Sequence, residues 1–250
     1  MLPRHPAASR PAQQPRRFYE AVSVVALEDG FGVMLDVRNL RSPVGAKLIL
    51  PSSALAELVA SEWLAQEGVI DLAAMPATRL AFTAADRIEA ARMATAAEIA
   101  RQAGADQLCY FAEAPQVLTR RQEARWSPML DWAAEALDLS FERASGILHR
   151  AQPQSTLDRV QVLALSLDTF SLAGLALAAG LFTSTILALA LQRGVLSGEE
   201  AFELSRLDEA FQEEQWGVDA EAAERTARLS AEAVMLDRWF QALVITPPQG

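Results

Sequence analysis

Residues 169–192, TFSLAGLALAAGLFTSTILALALQ, contain no charged side chain. A stretch that long and apolar has to leave water, either across a bilayer or inside a helical protein. Ser, Thr, Ala and Gly dilute it, and Gly180 followed by Thr183-Ser184 supplies a helix stop and a new N-cap near its centre. Its flanks, Asp168 and Arg193, bring neither the aromatic belts nor the Lys/Arg asymmetry of a membrane span. The run therefore predicts two short buried helices and no stable membrane insertion.

Helices buried on all sides need further helices around them. Ser52 or Ser53 can cap one in which Leu55, Leu58, Val59, Glu62 and Trp63 recur at spacings of three and four, ending near Gly68. IDLAAMPATRL, from Ile70, reads as a loop, followed by an Ala-rich helix from Ala84 to Gln102 that stops before Gly104. Further helices fit residues 116–126, 128–138, 157–179, 184–192, 198–215 and 219–243. The last two open on the acidic turns Glu199-Glu200 and Asp219 to Glu221, which the helix dipole favours.

Only the segment before Pro51 has a different period. YEAVSVVAL and FGVMLDV, separated by Glu28-Asp29-Gly30, read as a hairpin. Asn39, Ser42-Pro43 and Gly45 then punctuate a third and a fourth short strand ending in KLIL. Such a meander needs a partner to cover its face. The fold class is α+β, a small antiparallel β-rich N-terminal domain followed by a larger all-helical domain. The boundaries are a disordered basic tail over 1–17, a β-rich domain over 18–51 with an extension to about 80, and a helical domain over 84–245. No low-complexity linker separates the parts, so they pack together, and no internal repeat is visible.

The tail carries Arg4, Arg10, Arg16 and Arg17 and no acid, like a mitochondrial presequence, but Pro3, Pro6, Pro11 and Pro15 would break a targeting helix. Arg dominates the basic residues, with Lys47 the only lysine, and Ala is abundant, as in GC-rich bacteria. The expected compartment is the cytoplasm of a bacterium, or the mitochondrial matrix in a eukaryote.

The formal net charge of -10 has the wrong sign for tracking nucleic acid or anionic lipid. Cys109 is the only cysteine and His5 and His149 the only histidines, so neither a disulfide framework nor a Cys/His zinc site can be assembled. Phosphate loops, nucleophile elbows, His-Glu-x-x-His and EF-hand patterns are absent. Cys109, in DQLCYF, reads as a small buried hydrophobe, and His149, in GILHR, as a packing or capping residue. No catalytic residue, metal or cofactor is expected.

The charge is concentrated. Residues 199–237 hold twelve Asp and Glu against Arg206, Arg225 and Arg228, a net of -9. Within that segment Asp208, Glu209, Glu213 and Glu214 could house an acid/base pair or a divalent cation, giving a carboxylate-based metal-dependent hydrolase as one reading. A generic acidic scaffold steering a basic partner is another. At 100° per residue Glu214 borders the apolar face of Leu207, Ala210 and Phe211. It is therefore either paired with an internal arginine or directed at an external partner.

Five stretches together resemble one family. They are RRFYEAVSV from Arg16 with LDVRNLRSP from Leu35; LAELVASEWLAQ from Leu55; MPATRLAFTAADR from Met75; DQLCYFAEAPQVLTRRQEARWSPMLDW from Asp106; and ILALALQRGVLSGEEAFELSRLDEAFQEEQWGVDAE from Ile186. In that order they are similar to the mitochondrial F1 complex assembly factor 2 family, the chaperones of the ATP synthase α subunit, in its α-proteobacterial form. The family usually has Gly at Val37, Lys-Thr-Pro at Arg41-Ser42-Pro43 and Gly at Thr183.

The resemblance implies the same two-part fold and a non-enzymatic, monomeric protein. It would bind the unassembled α subunit of F1-ATPase and shield its subunit interface until β replaces it. It implies that Glu214, in QEEQWG, contacts the partner, followed by Trp216, Asp208, Glu209 and Glu213. Trp63, in SEWLAQ, matches a Trp of the family, but its place in the apolar row of its helix makes it a core residue, and Gly217 is expected to be structural.

Overall fold

The computed structural model describes residues 15–146 and 150–244. His149 and most of the basic tail lie outside them. Three strands form an antiparallel sheet in the order β1 (Val22–Leu27), β2 (Gly30–Leu35) and β3 (Arg38–Asn39). The register Val22↔Leu35 to Leu27↔Gly30 places Val22 and Val24 opposite the buried Leu35 and Val33. Those side chains turn inward, and Ser23, Val25 and Met34 turn outward. The expected fourth strand is reduced to single bridges, Arg41↔Lys47 and Phe31↔Leu50. At Gly30 a Cβ would lie 2.5 Å from the Leu50 carbonyl oxygen, so this close crossing requires glycine.

Helix α1 (Ser53–Leu64) covers the inner face of the sheet with Leu55, Ala56, Val59, Ala60 and Trp63. Ser52 accepts from the Leu55 amide and donates to the Ala242 carbonyl, tying this helix to the far end of the chain. Trp63 is buried as a core residue, and the Tyr19 hydroxyl donates to its carbonyl at 2.7 Å.

The stretch expected to be a loop contains α2 (Pro76–Thr83), which continues through one π turn (Ala84–Ile88) into α3 (Glu89–Ala103). Pro76 at the first position suits a helix start, and the Glu62 carboxylate accepts from the Ala77 and Thr78 amides at 2.8 and 2.7 Å. That cap comes from a helix earlier in the chain, so local sequence does not announce it. Gly104 closes α3 in a right-handed conformation.

After the short strand β4 (Tyr110–Phe111), α4 (Gln116–Leu137) is one helix where two were expected. Pro128 lies inside it. Pro128 and Ala124 are both exposed, so the carbonyl that loses its intrahelical donor faces water. β4 pairs in parallel with β5 (Ala144–Ser145).

The single helix expected over 157–179 is two, α5 (Gln154–Leu165) and α6 (Thr169–Phe182), because Asp168 caps the Phe170 and Ser171 amides. The helix over 198–215 likewise divides into α8 (Gly198–Ser205) and α9 (Leu207–Trp216) at Arg206, ahead of α10 (Ala220–Leu243).

The uncharged run becomes the end-to-end pair α6 and α7 (Thr185–Gln192), with Ser184 capping α7. The stop falls on Thr183, in the left-handed conformation at φ 46°, and Gly180 stays inside α6. Extending past Gly180 buries Phe182 completely. Residues Thr185 to Leu191 are all buried, making α7 the central helix. Among the described residues no helix is long and apolar enough to cross a membrane.

Gly198 shows how closely the outer helices approach. A Cβ there would lie 2.3 Å from the Ala233 carbonyl oxygen of α10, a backbone atom that cannot swing away. Gly198→Ala is expected to destabilise the protein by about 3 kcal/mol through overpacking. Urea unfolding measures this, and an unchanged midpoint would show that α8 shifts freely on α10.

Candidate partner-binding site

Helix α9 carries most of the acids singled out by sequence, and of its residues only Leu207 is buried. Its attachment to the body is polar. The Glu214 carboxylate accepts two hydrogen bonds from the Arg121 guanidinium of α4, at 2.7 and 2.9 Å. Arg121 also stacks over the Phe211 ring at 5.4 Å. This fork holds Glu214 below the usual carboxylate range. The side chain is still 51% exposed, so the pair faces solvent.

Asp208, earlier on the same helix, accepts from the Gln122 amide at 2.8 Å. Burial raises its pKa, the Gln122 bond lowers it, and neighbouring Glu209 raises it again. Gln122 is fully buried and also accepts from the Ala112 amide at 2.8 Å, so it joins α9, α4 and the strand end. Glu213 pairs instead with Arg206, whose guanidinium also reaches the Thr226 hydroxyl of α10. Glu209 is exposed. Trp216 is 80% exposed at the end of the helix, and Gly217, at φ 81°, turns the chain toward α10.

The predicted residues thus fall on one short helix but not at one point. Glu214 and Asp208 face α4, Glu213 faces Arg206, and Trp216 projects into solvent, while Trp63 belongs to the core under the sheet. Among the described residues no three potential metal ligands converge. An open groove of about 540 Å³ beside α9 is lined by Arg121, Arg125, Arg206, Phe202, Leu207 and Ala210.

The acidic face is less acidic than its sequence because Arg121 and Arg125 from α4 engage Glu214 and Glu203, while Arg206 and Arg228, within the same segment, engage Glu213 and Glu224. Sequence reasoning missed Arg121 and Gln122. Gln122 did leave a signal: with Leu118, Trp126, Met129, Ala133 and Leu137 it lies on the buried stripe of α4, where an amide must find a partner. Cys109 is buried, and burial raises its thiol pKa, as for a packing residue.

A family model described as ATP12 chaperone protein matches residues 16–134, which span the sheet, α1 to α3 and most of α4. The crystal structure of Atp12 from Paracoccus denitrificans is 38% identical, with a TM-score of 0.85, and the match covers 91% of this chain and 98% of that one. A structure of an aspartate-to-lysine mutant of the same protein matches with a TM-score of 0.84, at 38% identity over 91% of this chain and 97% of that one. The mitochondrial protein atp12 of Schizosaccharomyces pombe is 26% identical over 226 residues, 84% of this chain and 77% of its own.

Proposed function

Because the chain belongs to the ATP12 chaperone family, we propose that it serves assembly of the F1 sector of ATP synthase by binding the unassembled α subunit. The observation that carries this reading is the likeness to a solved Atp12 across 91% of the chain. An unassembled subunit exposes apolar surface made for a neighbouring subunit, and a stoichiometric cover prevents its aggregation. Release needs only a more stable α–β interface, so no catalytic step is required of the chaperone. It acts as a monomer, in the bacterial cytoplasm or the mitochondrial matrix.

Helix α9 fits the docking role. Half-exposed Glu214 offers a charged hydrogen-bond acceptor, and projecting Trp216 is of the residue type most enriched at binding hot spots. Engagement of Asp208, Glu213 and Glu214 by Gln122, Arg206 and Arg121 supports this reading over the hydrolase one.

The test is light scattering of isolated F1-ATPase α subunit with an equimolar amount of this protein, followed by addition of β subunit. Suppressed aggregation and displacement of the chaperone by β are expected. Undiminished aggregation would overturn the proposal.

A further inference from the structure

Strand β1 is an edge strand, the outermost of the order β1-β2-β3. The Asp36 amide donates to the Ala21 carbonyl, and alternation along the strand then sends the backbone groups of Ser23, Val25 and Leu27 toward β2. The N–H and C=O groups of Val22, Val24 and Ala26 point the other way. Among the described residues no hydrogen bond reaches them from a neighbouring segment. Edge strands of stable proteins are normally blunted by Lys, Pro, bulges or a covering segment. VSVVAL has no charge and no proline, and its register with β2 runs unbroken. At the open end of the sheet Phe18 is 59% exposed and Val37, in the β2–β3 turn, 87% exposed.

We propose that β1 is a second client-docking element, which accepts an extended segment of the client chain as an added strand. The segment would be uncharged in its middle and basic at both ends. Its chemistry follows from the charges that bracket the strand: Glu20 on one side, Glu28 and Asp29 on the other, all exposed and none in an ion pair among the described residues. The same charges disfavour a second copy of this chain paired along the whole strand. Antiparallel pairing of β1 with itself about Val24 would set Glu20 against Glu28 twice, and like charges directly opposite are destabilising. The main chain would supply affinity and the flanking acids register, as in strand addition generally.

This inference rests on the α subunit being the client, and its test separates the two. Amide exchange is followed in the full chain with and without isolated F1-ATPase α subunit. The amides of Val22, Val24 and Ala26 are expected to slow at least about tenfold in the complex. Ala26→Pro blocks the added strand without removing a β1–β2 bond, because the Ala26 N–H faces the open edge. Ser23→Lys places a charge on the exposed outer face and leaves the backbone intact. Each variant is expected to weaken α-subunit binding about tenfold or more with unchanged circular dichroism. Binding of the α subunit with unchanged β1 exchange and full affinity of Ser23→Lys would overturn strand addition and leave the proposed function standing. Absence of α-subunit binding to the unmodified chain would overturn both.

Discussion

Asp106→Ala is expected to destabilise the fold by about 4 kcal/mol, since each buried donor left without an acceptor costs roughly 1–3 kcal/mol. The Asp106 carboxylate is fully buried at the junction of α3, β4 and α7. It accepts from the Leu108 amide at 3.1 Å and the Ile186 amide at 3.0 Å, with further bonds from the Ser184 side chain and the Thr185 amide. It thus satisfies the first amides of the central helix, where a negative charge also meets the positive end of the helix dipole. Chemical denaturation monitored by circular dichroism measures the loss. A variant as stable as the parent would mean that water replaces the carboxylate at little cost.

The same group has a distinctive pH signature. Burial outweighs the four hydrogen bonds and lifts its pKa from 3.8 to about 6. The folded state therefore holds the proton more tightly than the unfolded chain. Stability from this group is full below about pH 4 and falls as pH rises through 6, by about 3 kcal/mol in total. Relative to Asp106→Asn, which cannot titrate, the parent should lose stability across that window. A difference that is flat between pH 4 and 7 would contradict it.

Glu214→Lys is expected to abolish rescue of ATP synthase assembly while leaving the protein folded. The Arg121–Glu214 pair lies half in solvent, where water screens it, and its loss moves the thermal midpoint little. Recognition is affected far more, because the substitution places two cations side by side on a face proposed to meet the α subunit. Binding should weaken by about two orders of magnitude or more, as for truncation or reversal at a charged hot spot. Retained α-subunit binding by Glu214→Lys would remove Glu214 from the docking surface. The exchange Arg121→Glu with Glu214→Lys restores an internal ion pair with reversed polarity. Binding should stay lost in that double variant if Glu214 itself touches the client, and recovery would make it a positioning residue for α9.

Periodicity carried much of the architecture. Alternation in VSVVAL and FGVML is enough to form β1 and β2, because a strand needs one apolar face and a turn. The uncharged run gave the central helices, since nothing else can surround α7 on every side. What periodicity could not place were breaks inside an apolar pattern: Asp168 ends one apparent helix by capping the next, and Arg206, which makes no side-chain cap, divides another. Pro128 shows the converse, a breaker tolerated because solvent takes over its lost bond. Glu62 shows why α2 was hidden, its N-terminal amides being satisfied from α1.

The sequence alone thus determined the fold class, the N-terminal hairpin, most of the helices, the buried central pair, the core position of Trp63 and the concentration of acids near the C-terminus, all properties of residues a few positions apart. Only the tertiary structure decided which charges remain available. Glu214 meets Arg121 across 93 positions, and Asp106 meets Ile186 across 80. Helical and strand periods specify which face a side chain occupies, but not which distant face is packed against it. That packing brings two arginines from α4 onto the acidic face and, among the described residues, leaves one edge of the N-terminal sheet unpaired.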